Sequence, residues 1–404
     1  MPAPPGCPPQ PGRGRQHWCT ASEGIEALIG VGGTQQFTTT LRNLHGALLS
    51  GYTTLGVKWQ TASSPSTGVI ANLTPTSGPT NGSGQAVTTV TAGSTAGSAT
   101  VYGIANDHAL PNNMLFATAT LNVQSPSQDL WTTQASMHTA RLAVGAAAVG
   151  GILYVVGGEN GSGLSNVLEA YDPATDTWTT KAPMPTARNF SGNGAAAING
   201  LLYVAGGYGS QELNVLEVYD PTTNSWATKA PMHTARDGLG VAAVNGILYA
   251  VGGSNSTGVL NVVEAYEPGT DIWTTKAPMP TKHDPAATGV VNGVLYVVGG
   301  QVGPNVEAYD PSTDTWTTKA SMPTQRVTLG AAGLNGILYA VGGYSGQETD
   351  VLEAYNPATD TWTSKAPMPT PRQYVSAAAL NGLFYAVAGL NSTGYLATLE
   401  AYHP

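Results

Sequence analysis

Six near-identical phrases recur down the last two thirds of this 404-residue chain, and their recurrence restricts the fold more than any other feature. They are GILYVVGG from Gly151, GLLYVAGG from Gly200, GILYAVGG from Gly246, GVLYVVGG from Gly293, GILYAVGG from Gly336 and GLFYAVAG from Gly382. A Glu-x-Tyr follows each, starting at Glu169, Glu217, Glu264, Glu307, Glu353 and Glu400. Trp178, Trp226, Trp273, Trp316 and Trp362 come next, and then a methionine and a cation. The period is about 46 residues, a length at which one repeat makes one structural unit of a larger ring or stack.

Each unit reads as four short strands with turn signals between them. The first is rich in Gly and Ala (GAAAVG from Gly145, GAAAING from Gly194), as suits strands crowding a common axis. Asn-Gly pairs at 199–200, 245–246, 292–293, 335–336 and 381–382 then demand tight hairpins. The second strand is apolar on both faces, the third carries Glu-x-Tyr, and Asp-Pro-x-Thr-Asp turns into the Trp strand. The Trp and the following Met are expected to pack between units. The last copy ends at Pro404 without a Trp strand, and an orphan Trp strand, Asp129-Leu-Trp-Thr-Thr, precedes the first copy. The Trp131 strand is therefore expected to complete the last unit and close the ring. The di-glycine and the spaced Tyr and Trp resemble the kelch motif, whereas the Gly-His and Trp-Asp of WD40 repeats are absent. That resemblance implies an all-β fold, a six-bladed kelch β-propeller over residues 128–404.

Residues 21–125 show none of these features. Alternating strands are expected from Gln35, Gly56, Gly68, Ala86, Gly97 and Ala117, at a spacing that argues for a β-sandwich. VGGTQQFTTTL, VKWQTASS and VTAGSTAGSATV resemble the bacterial Ig-like (BIG2-type) domains of surface proteins, which act as spacers or stalks. Trp59 stands where such sandwiches place a core aromatic, and Ser125-Pro-Ser-Gln reads as a linker. Residues 1–20 read as a flexible segment with no apolar stretch of the signal-peptide kind. Its Cys7 and Cys19 are either idle thiols or a local bridge.

Charged residues are only 10% of the chain, the net charge is −9, and no run of Lys or Arg occurs. A nucleic-acid partner needs such a run to displace counterions from phosphates, so that class is excluded. No stretch approaches the roughly 18 apolar residues of a membrane span, so membrane insertion is not expected. A surface made polar by Thr, Ser and Asn suits an extracellular, cell-surface or periplasmic protein.

Repeated residues serve the fold first, so binding chemistry is sought in what deviates. One face, shared by the between-blade connections and the six loops between second and third strands, 159–166, 208–214, 254–261, 301–305, 344–350 and 390–398, carries all the length variation. Subtracting the repeat leaves Tyr208, Tyr344, Tyr374 and Tyr395 in the propeller, with Phe190 two residues after Arg188 as Tyr374 is two after Arg372. The unexplained acids include Glu212, Asp237, Asp284 and Glu348, and His283 adjoins Asp284. Aromatics beside acids suit a protein or sugar contact surface.

One cation per blade, Arg141, Arg188, Arg236, Lys282, Arg326 and Arg372, is expected near the mouth of the central channel. Arg binds carboxylates bidentately, so this ring suits an acidic ligand, as in kelch propellers that capture acidic peptides. The alternative is that a residue present in every blade braces the connection against backbone carbonyls.

No catalytic motif, metal-ligand set or cofactor signature appears. Copper oxidases with kelch propellers use a Cys-crosslinked Tyr, and this propeller has no Cys. The expectation is a non-catalytic surface or periplasmic binding protein that holds a protein or glycan on its variable loops. The rivals are a cofactor-free enzyme resembling kelch sialate mutarotases, with Asp237 beside Arg236 or Asp284 beside Lys282, and a self-associating subunit of a surface layer or fibre.

Overall fold

The protein is described here from a computed structural model, which covers residues 129–404 except Val302 and, by backbone alone, eight strands between residues 25 and 124. The chain divides into two compact units, 1–128 and 129–404. In the first, Ile25–Gly30, Met114–Gln124, Gly97–Asn106, Gly56–Thr61 and Ser77–Pro79 form one sheet in that order. Thr34–Thr40, Gln85–Ala92 and Ile70–Thr74 form another. The six expected strands are all there; Ile25–Gly30, which pairs in parallel with Met114–Gln124, and Ser77–Pro79 are additional. The Trp59 side chain, Cys7 and Cys19, the segment 1–20 and the linker 125–128 lie outside the described residues.

The second unit is all β: six four-stranded antiparallel sheets, the blades of a propeller. Blade one is Gly145–Val149, Ile152–Val156, Leu168–Asp172 and Thr177–Lys181, and blades two to five repeat that order along the chain. The sixth sheet draws on both ends of the unit, in the order Ser376–Leu380, Leu383–Val387, Leu399–His403, Leu130–Gln134. Its outer pairing sets Trp131 opposite Tyr402, as Trp178 stands opposite Tyr171 in blade one.

The repeat residues bind blade to blade. The second strands are buried almost throughout, and their Leu, Val and Tyr side chains fill the gaps between neighbouring sheets. At the rim the indole N–H of Trp178 donates to Ala135 O at 2.7 Å, Trp226 to Ala182 O, Trp273 to Ala230 O, Trp316 to Ala277 O and Trp362 to Ala320 O. The N–H of each of those alanines donates in turn to a left-handed Asp or Asn of the next blade, such as Asp176 at 2.8 Å or Asp314 at 2.9 Å. The tyrosine hydroxyl of that blade bonds the same Asp or Asn, as Tyr309 does Asp314 at 2.7 Å. Asp129 and Trp131 make the sixth such clip, on Ala366.

Near the axis the second residue of each Gly-Gly, or of Ala388-Gly389 in blade six, donates its N–H to the next blade. Gly158 bonds Arg188 O, Gly207 bonds Arg236 O, Gly253 bonds His283 O, Gly300 bonds Arg326 O, Gly343 bonds Arg372 O and Gly389 bonds Arg141 O. Gly158 has φ +93°, and a Cβ there would sit 2.5 Å from Leu142 O, so neither the conformation nor the space admits a side chain. The Asn199-Gly200 pair has φ of 49° and 81°, as the expected tight hairpin requires.

Candidate binding face

The residue four places after the repeat methionine opens each between-blade connection. It is Arg141, Arg188, Arg236, His283, Arg326 or Arg372, and all six are 0–1% exposed. Each arginine closes on the Glu of its own third strand: Arg141 on Glu169 at 2.7 Å, Arg188 on Glu217 at 2.5 Å, Arg236 on Glu264 at 2.7 Å, Arg326 on Glu353 at 2.8 Å and Arg372 on Glu400 at 2.7 Å. Other Nη protons go to main-chain carbonyls, such as Arg236 to Ala250 O at 3.0 Å and Arg326 to Val351 O at 2.6 Å, whereas the Nε of each arginine is buried without a hydrogen-bond partner. Burial pushes each of these arginines down, Arg326 to about 10, and the glutamate opposes it.

This corrects the expected ring of ligand-binding cations. The five arginines brace the connections, with carbonyls as one expectation had it and with a buried glutamate in addition. Lys282 is not the sixth member: it is exposed, and His283 holds the position instead. Phe190 is corrected as well. It is 1% exposed, packs in the core between blades one and two, and lies under the Arg188 guanidinium at 5.6 Å.

Immediately past the buried cation the chain surfaces. Leu142, Asn189, Asp237, Val327 and Gln373 each form an isolated antiparallel bridge with the residue after the Gly-Gly: Glu159, Tyr208, Ser254, Tyr344 and Leu390. Gln301 N–H likewise donates to Asp284 O at 3.0 Å in blade four. Twelve positions thus ring the channel mouth in six backbone-fixed pairs. None of the twelve is buried, and no two blades carry the same pair of side chains. Identical main-chain geometry therefore presents individual chemistry.

Four of these residues draw the electrostatics together. Asp237 accepts from Ser191 Oγ at 2.9 Å, and burial raises its carboxyl, with the Glu212 charge adding to the rise. Burial also raises Asp284, and the charge of Asp237 adds to it. The Tyr374 hydroxyl is raised by burial and then by the charges of Asp237, Asp284 and Glu159. Asn189 Nδ2 donates to Glu159 at 2.9 Å. Among the described residues no cation forms an ion pair with Glu159, Glu212, Asp237 or Asp284.

Blade two lengthens its connection to reach this group. Arg141 to Gly145 is four steps, whereas Arg188 to Gly194, the matching glycine, is six. The extra chain carries Ser191 to Asp237 of blade three, and Asn193 accepts from Ala146 N–H of blade one and Val241 N–H of blade three. A Cβ on Gly192 would lie 2.9 Å from Ala286 O of blade four, so this backbone runs across the channel end.

Tyr208 and Tyr344 are 41% and 39% exposed and sit in one loop type, each bridged to a glutamate four residues on, Glu212 and Glu348. Their blades, two and five, face each other across the ring. The mutarotase-like pairings are not assembled. The Arg236 guanidinium is committed to Glu264 rather than to Asp237, and Lys282 forms no ion pair with Asp284.

The KLHDC2/KLHL20/DRC7 Kelch-repeats domain matches residues 73–253, and the Kelch motif matches 235–280, 284–323 and 325–369. Kelch repeats build this propeller. The first kelch match begins within the 1–128 unit, although the repeat phrases start only at Gly151. No curated protein matches the chain. A solved structure titled "Structure of YjhT" resembles it with a TM-score of 0.56 at 18% identity, over 66% of this chain and 96% of that one. At that identity the likeness is one of fold alone.

The residues that sequence reasoning missed are Asn189, Ser191, Ser254, Gln301 and Gln373. A signal was present: the columns after the cation and after Gly-Gly vary in a repeat whose neighbouring columns hardly change.

Proposed function

We propose that this chain is a non-catalytic binding protein of the cell surface or periplasm, whose kelch propeller holds a protein or glycan on the loop-bearing face. One observation carries the reading. The twelve mouth positions share a single backbone scaffold yet differ in side chain, which is what a recognition surface on a rigid frame requires. Tyr208 and Tyr344 stand on opposite sides of the mouth, so a ligand touching both spans it. That favours an extended sugar or a protein segment over a small molecule.

In this reading the Leu130–Gln134 strand latches the ring through its pairing with Leu399–His403, and residues 21–125 serve as an Ig-like spacer. The test is a glycan and peptide binding screen with the full chain. Binding lost in the Tyr208→Ala/Tyr344→Ala double variant, with the melting curve unchanged, is the expected result. Sugar mutarotation by the wild type that Asp237→Asn abolishes would overturn the reading in favour of an enzyme. Ordered self-assembly without any ligand would overturn it in favour of a structural subunit.

A further inference from the structure

Five blades hold a guanidinium against the third-strand glutamate, and arginine stays charged throughout the working pH range. Blade four holds a histidine there, and a count of hydrogens shows how many protons the group shares. His283 Nδ1 lies 2.8 Å from Gly299 O. A carbonyl only accepts, so Nδ1 carries a proton. Nε2 lies 3.0 Å from the Thr281 hydroxyl oxygen, which in turn lies 2.7 Å from Glu307 Oε1. The hydroxyl has one proton, and the carboxylate can only accept it. The hydroxyl oxygen is then left to accept from Nε2–H. With Glu307 ionised, both ring nitrogens donate and the ring is an imidazolium; with the proton on Glu307 instead, the Thr281 hydroxyl donates to Nε2 at the same distances, and in either case the buried group holds one proton more than a neutral ring beside a carboxylate. The other carboxylate oxygen, Glu307 Oε2, has no hydrogen-bond partner and lies 3.5 Å from Nε2. Both side chains are 1% exposed.

We propose that His283, Thr281 and Glu307 form a pH-sensitive lock in blade four. Protonated, His283 supplies the sixth cation of the ring. Deprotonated, it leaves Glu307 buried without a counter-charge and the Thr281 proton contested between two acceptors. The charged groups around it are few. Glu307 comes from the third strand. On its own connection Lys282 is exposed, and the Asp284 carboxylate lies against Gly238 of blade three. Blade three otherwise meets His283 through Gly253 N–H on its carbonyl, and Arg326 of blade five meets the same turn through its carbonyl on Gly300 N–H.

The sign follows from linkage. The folded lock needs a proton that an unfolded histidine gives up to solvent. Its contribution to stability is present while the group is protonated and is lost as pH rises. Asp284 follows His283 directly, so the loosened turn is one that carries a mouth residue.

The test compares melting temperatures of the full-length wild type and His283→Arg from pH 5.5 to 8.5. The wild type is expected to lose roughly 2–4 °C more than the variant across that range. His138 and His233 also lie within 3.5 and 3.6 Å of Glu169 and Glu264, but both are unchanged in the variant and cancel in the difference. Parallel profiles would overturn the proposal. If His283→Arg does not fold, nitrogen NMR of histidine-labelled wild type decides alone. Two protonated ring nitrogens at pH 5.5, one of them lost on raising the pH with a fall in stability, support the lock. A single protonated nitrogen at pH 5.5 overturns it.

Discussion

Glutamine in place of Glu264 removes one charge and almost no volume from blade three, which makes it a clean probe of the braced connection. Glu264 Oε1 accepts from Arg236 at 2.7 Å and Thr234 N–H at 3.1 Å, and Oε2 accepts from His233 N–H at 2.7 Å. An amide nitrogen must replace one of those acceptors, so a donor is turned on a donor. Arg236 meanwhile keeps its charge at 0% exposure. Removing one partner of a buried ion pair costs about 3–5 kcal/mol, because the other charge remains in a medium that cannot solvate it. In a propeller of this size that is a fall in melting temperature on the order of 10 °C. Urea unfolding should show the loss as a lower midpoint at constant slope. Glu212→Gln, at the half-exposed mouth, should stay within about 0.5 kcal/mol. Arg236→Met combined with Glu264→Gln should cost less than the two single changes summed, by roughly 0.5–3 kcal/mol. A Glu264→Gln cost under about 1 kcal/mol would refute the reasoning. It would mean that the carboxylate is solvated and that Arg236 is free to meet a ligand.

The rim clips make further predictions. Trp131→Ala removes the bond to Ala366 O and the ring contacts with Tyr402 and Phe384, at 5.4 and 6.3 Å, and should cost about 3–5 kcal/mol in urea unfolding; a change under about 1 kcal/mol would exclude this strand as a latch. Burial and a hydroxyl bond to an Asp carboxylate raise Tyr171, Tyr266, Tyr309, Tyr355 and Tyr402, and burial raises Tyr219 to about 12. Their stabilisation is present below the unfolded value near 10 and is lost as pH rises beyond it, so tyrosinate absorbance should appear together with loss of circular dichroism; ionisation of most tyrosines near pH 10 in an intact fold would contradict this. The partner carboxylates are lowered, by the alanine N–H first at Asp129 and Asp271 and by the tyrosine hydroxyl first at Asp314 and Asp360. Their stabilisation is present above about pH 3.8 and is lost as pH falls through the folded values, which acid unfolding followed by Trp fluorescence will read.

The strands, the hairpins and the face of variable loops were legible in the sequence because each follows from local pattern. Gly-Gly and Asn-Gly state a backbone conformation outright, and alternation states which side is buried. Partnership between distant repeat residues was harder to see. Arg141 and Glu169 lie 28 residues apart, Arg188 and Glu217 29, Arg236 and Glu264 28, Arg326 and Glu353 27, and Arg372 and Glu400 28. The clue was a glutamate on each otherwise apolar third strand, which had to find a cation somewhere. Blade four misled because Lys282 and His283 are adjacent and the stronger cation attracts the assignment. Counting four from Met279 selects His283, and the buried geometry agrees. Phe190 misled for a different reason: two extra residues in its connection shift the register, and a residue two after the arginine no longer occupies the place that Tyr374 does.

Neutralising the arginines reverses the charge of the mouth. Had five guanidinium groups opened on the channel, a carboxylate or acidic peptide would have been the natural ligand. With each closed on a glutamate and His283 against Glu307, the ring adds no free positive charge to the face. What remains near the mouth is Glu159, Glu212, Asp237, Asp284, Glu348 and Asp350, with Lys282 exposed beside them. Asp237 and Asp284 are already raised by burial, and Asp237 adds to the rise at Asp284, so another anion beside them meets repulsion rather than attraction. An acidic ligand is therefore disfavoured, and a neutral sugar or a protein segment without net negative charge suits both the charge and the exposed tyrosines. The same residues that give the ring its rigidity thus set, by being hidden, the sign of the surface that the loops display.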